Sequence, residues 1–443
     1  MLLSYLPSWL SSVFDRFAAW LDRRTAARLP LLLAGILLAS GRRTATAWFR
    51  AANITTEFRR TYHVIHAVGQ RAESMAFSTW TTIQPCLGQK RRLTFAIDDT
   101  PTARFGPCVE GAGKHHNPTP GPAGEKFVYG HIWVTVAALT RHPDWGTIAL
   151  PLWANLYVRK KDIPKLPPER GWEFRTKLEL AAEQLRRLKR CVNDQTKELW
   201  VVVDGGYAKK VFLRAAREEG FTVVGRLRKD AALWSVPPTT RRQGQRGPLP
   251  TYGKERFDLA KRAGQAQGWQ QVECVQYGQR VTKTYKTFLA TWRPAQGIIR
   301  VVLVREEHGW VPFFCTDPDA SVVDILEAPA DRGAEEETFK AVKEVWGAGQ
   351  QQLRNVDANV GAFNLNLWEY SIVEAWAWKR AQEELVDRSA SPWDAEPRRP
   401  SHADKRKALQ REVLREEIQA VLAEPLNREG IRDLAEKLLN LAA

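Results

Sequence analysis

Two short apolar runs, each stopping at an aspartate, constrain this chain more than anything else in it. Residues 93–97, Leu-Thr-Phe-Ala-Ile, are rich in β-formers and stop at Asp98-Asp99-Thr100. Residues 199–203, Leu-Trp-Val-Val-Val, are apolar throughout and stop at Asp204-Gly205-Gly206. A strand without a polar face belongs in the middle of a sheet covered by helices on both sides. Ligand sites in such sheets gather at the carboxyl ends of strands. If the two strands are neighbours, both carboxylates enter one crevice.

The surrounding sequence supports that frame. Residues 131–140 and 147–158 read as strands, with Pro143 and Gly146 at the turn. Residues 172–191 read as a helix with Leu178, Leu180, Ala181, Leu185 and Leu188 as its inner face. A helix from about Tyr207 to Gly220 follows Asp204, and residues 221–227 form a strand. The first three strands have short connections and suit an antiparallel meander. The later ones are joined through helices and suit parallel pairing. The expected fold class is therefore α/β, a mixed sheet flanked by helices.

Five regions are expected. Residues 1–85 form a helical N-terminal domain, with Trp9, Val13, Phe17 and Trp20 on one helix face and a second helix near 28–39. Arg42-Arg43 precedes another short helix. Basic residues at helix starts suit a helix-turn-helix reader of nucleic acid; a plain helical bundle is the alternative. Residues 86–231 and 313–388 form the two parts of the core. Between them, 232–312 hold Pro237, Pro238, Pro248 and Pro250 and three strand-like runs at 272–277, 283–292 and 298–304, a β-rich insertion. A helix is expected from about Ala334 to Trp346 and another over 364–386. Residues 389–443 read as a linker and a charged helical tail.

Charge narrows the partners. Lys and Arg number 66 against 50 Asp and Glu, a net charge of +16. Each neutralised phosphate of a polyanion releases condensed counterions, so this excess favours nucleic acid. The five cysteines form no CxxC pair, which argues against a disulfide framework or zinc site and fits a reducing cytoplasm. The longest apolar run, 30–39, is about half of what a membrane crossing needs, so no membrane is expected.

Paired carboxylates at strand ends suit magnesium, a hard ion that prefers oxygen ligands. Two such ions about 3.5–4 Å apart can clamp the attacking and leaving oxygens of an in-line phosphoryl displacement. Glu336 is the expected third acid. With 3.6 residues per turn, Arg332, Glu336 and Lys343 lie at roughly 0°, 40° and 20° around one helix. A carboxylate for metal and two cations for phosphates would then share a face. Glu335 and Glu337 compete on spacing, and the bland alternative is an exposed Arg–Glu pair. Asp99 is the rival to Asp98, since alternation along a strand sends the two to opposite faces.

With these residues in place, the chain resembles the DDE-type transposases of bacterial insertion sequences, which carry a β-strand insertion in an RNase H-like core. The likeness rests on Ile97-Asp98-Asp99-Thr100, on Val202-Val203-Asp204-Gly205, and on Arg332, Glu336 and Lys343. The last three fill a tyrosine–arginine–glutamate–lysine signature with gaps of two, three and six. Its tyrosine position is Pro329, a departure from the pattern. Asp204 follows Asp98 by 106 residues, and Glu336 follows Asp204 by 132, room for the insertion.

The resemblance implies catalysis by Asp98, Asp204 and Glu336 with two magnesium ions, for which manganese can substitute. It implies cleavage at transposon ends and attack of the freed 3′-hydroxyl on target DNA. Double-stranded DNA would be the partner, a homodimer would pair two ends, and the setting would be the bacterial cytoplasm and nucleoid. Further DNA contacts are expected from Lys114, His115 and His116 in a Gly/Pro-rich loop at 106–124. Others are expected from Arg226, Arg228 and Lys229, from Arg42 and Arg43, and from Trp292 and Trp310 as base-stacking aromatics of the insertion. Two other functions stay open: an inactive or regulatory DNA-binding descendant, and a structure-selective nuclease on the same core.

Overall fold

A computed structural model describes residues 6–116, 126–240, 247–389, 393, 398–423, 431, 432 and 435. The part of the Gly/Pro-rich loop at 117–125 lies outside the described residues, as does most of the expected linker at 390–397.

The chain begins with five helices: α1 (Ser8–Ala18), α2 (Arg23–Ala26), α3 (Leu29–Leu38), α4 (Ala45–Ala51) and α5 (Phe58–Leu87). Helix α1 buries Leu10, Val13, Phe14, Phe17 and Ala18. The expected face therefore holds only in part, since Trp9 and Trp20 are exposed and Trp20 donates its indole N–H to Ser78 Oγ at 3.0 Å. Helix α3 buries eight of its ten residues, and α4 buries Trp48 and Phe49. Both belong to the apolar core that also holds the sheet. Helix α3 is enclosed nearly all round and presents no polar face, whereas α4 leaves Thr46 and Arg50 exposed.

The sheet begins with β1 (Arg92–Ala103), β2 (Gly113–His116), β3 (Phe127–His142) and β4 (Gly146–Tyr157). After two 3-10 turns come α6 (Lys177–Val192), β5 (Glu198–Val203), α7 (Lys210–Glu218) and β6 (Phe221–Arg226). Helix α6 starts at a capping box in which Thr176 and Glu179 satisfy each other's backbone N–H groups. Strand β3 lies between β1 and β4, antiparallel to both, while β1, β5 and β6 run parallel. The order β4–β3–β1–β5–β6 with this mixed pairing is an RNase H-like arrangement.

Next come β7 (Leu233–Trp234), β8 (Arg256–Phe257), α8 (Leu259–Gly264), β9 (Gln270–Gln276), β10 (Gln279–Trp292), β11 (Gly297–Glu306) and β12 (Gly309–Cys315). Strand β12 pairs antiparallel with β6, so the inserted strands prolong the core sheet.

The chain closes with α9 (Val322–Glu344), α10 (Val356–Ala377), α11 (Gln382–Leu385) and α12 (His402–Ala423). Helices α5 and α10 cross with backbones in contact. A Cβ on Gly69 would strike Asp357 O, and one on Gly361 would strike Ile65 O. Helix α12 is a strap. Its buried Arg406 donates to Leu37 O and Ala39 O at the carbonyl end of α3, and to Val345 O after α9. Among the described residues, no helix is long and apolar enough to cross a membrane.

Candidate active site

The parallel pairing of β1 with β5 ends at Ile97 beside Val203, so Asp98 and Asp204 follow in register on neighbouring strands. Asp98 is not at a strand end as expected. Strand β1 runs on to Ala103 because the long β3 keeps pairing with it after β5 has stopped. Asp204 does leave its strand, and its Oδ1 accepts the N–H groups of Gly206 at 2.9 Å and Tyr207 at 3.1 Å. Across the pairing of β5 with β6, Val203 sits beside Gly225, which brings the exposed Arg226 next to Asp204.

Alternation along β1 separates the two aspartates. Asp98 faces α9, where Arg332 Nη1 lies 2.5 Å from its Oδ2. Asp99 takes the Lys177 ammonium at 2.6 Å and the Tyr207 hydroxyl at 3.0 Å. Those two partners were invisible in the sequence, because only the strand register brings α6 and the Asp204 turn to Asp99. Burial and the Asp99 charge raise the Tyr207 phenol well above its usual range, so it stays a proton donor.

Helix α9 presents two adjacent glutamates differently. Glu336 is exposed, and its Oε1 lies 3.6 Å from Arg332 Nη2. Glu335, the rival of Glu336 on spacing, is fully buried and neither carboxyl oxygen has a hydrogen-bond partner. Burial, then the charge of Asp98, pushes Glu335 well above the carboxylate range. Asp98 is pushed up to about 6 by burial, against the pull of Arg332, with Asp204 and Asp99 adding to the rise. The Arg332 guanidinium is desolvated, yet Asp98, Glu335 and Glu336 hold it above its ordinary value. One cation therefore sits among several carboxyl groups.

The other expected residues are dispersed. Lys114, His115 and His116 form strand β2 rather than loop. His115 is buried, and burial followed by Arg159 and Lys177 pulls its imidazole down to about 4, so it is neutral at pH 7. Lys343 is half-buried farther along α9, and burial lowers its ammonium. Beyond α9, Arg43 donates its backbone N–H to Gln350 Oε1 at 2.9 Å, while Arg42 is exposed. Arg228 is paired with Asp230 at 2.8 Å, and Lys229 stands over the Trp310 ring at 5.1 Å. Trp292 is buried edge-on against Phe314, so it fills the core and is closed to a base.

Another basic stretch escaped the sequence reading. Residues 159–177 hold seven Lys and Arg against three acids, from Arg159-Lys160-Lys161 to Lys177 at Asp99. The local charge run was the available signal.

A family model described as DDE superfamily endonuclease matches residues 16–296. The match includes Asp98 and Asp204 and ends before α9. No curated protein matches the chain.

Proposed function

The chain belongs to the DDE superfamily endonuclease family, and from that premise we propose that it is a DNA transposase that cleaves transposon ends and joins them to target DNA. The observation that carries this reading is the register of Asp98 and Asp204 beneath an α9 turn bearing Arg332, Glu335 and Glu336. Endonucleases of this family use divalent metal ions and act on DNA.

The donor set fits such ions. Asp98 is desolvated and Glu335 has two unpartnered oxygens. Both are costs that a divalent cation relieves. Among the described residues, no three ligands already converge on one point. The Arg332 guanidinium stands there instead, bridging Asp98 and Glu336. Asp98 and Asp204, with a glutamate of α9, would hold two magnesium ions, for which manganese can substitute. Those ions supply charge neutralisation at the scissile phosphate. Arg332, displaced from Asp98, pairs with a DNA phosphate. The Lys177–Asp99–Tyr207 contacts keep the Asp204 turn in place. In-line phosphoryl transfer asks for little beyond such positioning. Attack by water frees a 3′-hydroxyl, and attack by that hydroxyl joins the end to target DNA. Two copies, one per end, form the working assembly.

The signature assigns the third carboxylate to Glu336. Burial and the charge of Asp98 favour Glu335 as a second reading. A plasmid assay carrying the element's ends, with magnesium, manganese or EDTA, tests both. Asp98→Asn and Asp204→Asn each lower cleavage by about a thousandfold, a loss of several kcal/mol of transition-state stabilisation. Of Glu335→Gln and Glu336→Gln, the variant with the same loss names the third ligand. Wild-type cleavage in both aspartate variants overturns the mechanism. Cleavage without joining of a pre-cut end leaves a nuclease, and binding without either leaves a regulatory protein.

A further inference from the structure

Strand β1 continues past Asp98 to Ala103, and α9 runs alongside it. Arg332 meets Asp98 at one end, and Gly349 lies against Thr102 and Arg104 at the other. The six steps of extended chain from Asp98 to Arg104 span about 20 Å. At that far end is a cavity of about 380 Å³, within the size range of small-molecule sites. Its floor is the buried Arg104, whose Nε donates to His131 Nδ1 at 3.0 Å and whose Nη1 donates to Gly349 O. Burial pulls the Arg104 guanidinium down to about 10, so it stays charged at neutral pH. Leu353 supplies apolar wall, and the exposed Arg42 and Arg354 stand at the rim. At the mouth, Phe105 is 84% exposed. Water is a poor partner for such a ring.

We propose that this cavity binds an unpaired nucleobase of the DNA strand that leads away from the acid site. An apolar pocket with an aromatic face at its mouth suits a base, and the exposed Arg42 and Arg354 at its rim suit the phosphates on either side of it. At the duplex rise of about 3.4 Å per nucleotide, 20 Å corresponds to at most some six nucleotides from the scissile phosphate. The inference rests on the transposase reading, since it takes DNA at the acid site as given.

Binding in EDTA separates the two, because it needs no chemistry. Fluorescence anisotropy of the full chain with labelled single-stranded dT20 and with a blunt 20-base-pair duplex reads the site. Phe105→Ala weakens dT20 binding about tenfold, the loss of one stacked base, and leaves duplex binding within twofold. Phe105→Tyr restores dT20 binding. Cys108 also lines the cavity and is exposed, whereas Cys86, Cys274 and Cys315 are buried. A dT20 carrying a disulfide-tethered thymine therefore crosslinks to Cys108. The crosslink disappears in Cys108→Ser and falls in Phe105→Ala. Equal dT20 affinity in wild type and Phe105→Ala, or a crosslink unchanged by excess unmodified dT20, overturns the inference. Failure of metal-dependent cleavage alongside the expected binding overturns the transposase reading and leaves the base site standing.

Discussion

Asp98 and Asp99 are neighbours in sequence with separate tasks, because a strand turns successive side chains to opposite faces. Asp98 faces Arg332, and Asp99 is fully engaged by Lys177 and Tyr207. Asp99→Asn should therefore lower the cleavage rate roughly 10- to 100-fold through a loosened Asp204 turn. Metal affinity, followed by calorimetry, should stay near wild type; loss of metal binding as complete as in Asp98→Asn would make Asp99 a ligand. A second prediction concerns Glu374, buried between His402 at 2.7 Å and Lys405 at 2.6 Å. These partners, Lys405 foremost, overcome its desolvation and pull its carboxyl from 4.5 down to about 2. A depressed carboxyl stabilises the fold above its unfolded pKa and loses that effect as pH falls. The stability gap between wild type and Glu374→Gln should be on the order of 3 kcal/mol near pH 6. It should shrink below pH 4.5 and close near 2 in denaturant titrations; a gap constant with pH would contradict this. At this scale the sequence was half legible. Apolar runs singled out Asp98 and Asp204, although only Asp204 leaves its strand. Tyr207 was hidden, because its partner Asp99 lies far away in the chain, and spacing named Glu335 as a rival without showing its burial.

Elements were easier to read where periodicity is local. Strand β5, expected at 199–203, spans Glu198–Val203, and β6, expected at 221–227, spans Phe221–Arg226. Helix α9 was misjudged. It begins at Val322, capped by Ser321 Oγ accepting from Asp324 N at 3.1 Å, twelve residues before the expected start. Pro329 reads as a breaker, yet it sits inside the helix, where it forgoes one backbone hydrogen bond. Contacts outside the helix compensate. Val275 N donates to Glu327 Oε1 and Gln276 Nε2 donates to Leu326 O, so the β9–β10 hairpin braces the turn before Pro329. Helix α12 was read as a charged tail, because its buried cations look solvated in a string of letters. Arg406→Ala removes donors from carbonyls of α3 and should destabilise the protein by about 3 kcal/mol. The midpoint of chemical unfolding should fall accordingly, and an unchanged midpoint would show that water replaces the guanidinium at no cost.

For the whole molecule, the net charge of +16 was legible at once, but its distribution was not. The stretch 159–177 gathers seven cations on the approach to Asp99. Lys160 and Lys161 are both exposed there. Replacing both with Ala should reduce the slope of log affinity for duplex DNA against log salt by about 2; an unchanged slope would place the duplex elsewhere. The antiparallel and parallel pairings followed from connection lengths, whereas the joining of β12 to β6 did not, because strand partners across an insertion leave no trace in spacing. The strap of α12 also bears on how the chain is made. The carbonyl end of α3 is closed by Arg406, as much as 370 residues later in the chain. At 5–20 residues per second, a ribosome needs roughly 20 to 70 seconds to cover that distance. During that interval the carbonyl end of α3 stands open. Helix α3 is thus completed only once α12 has been made.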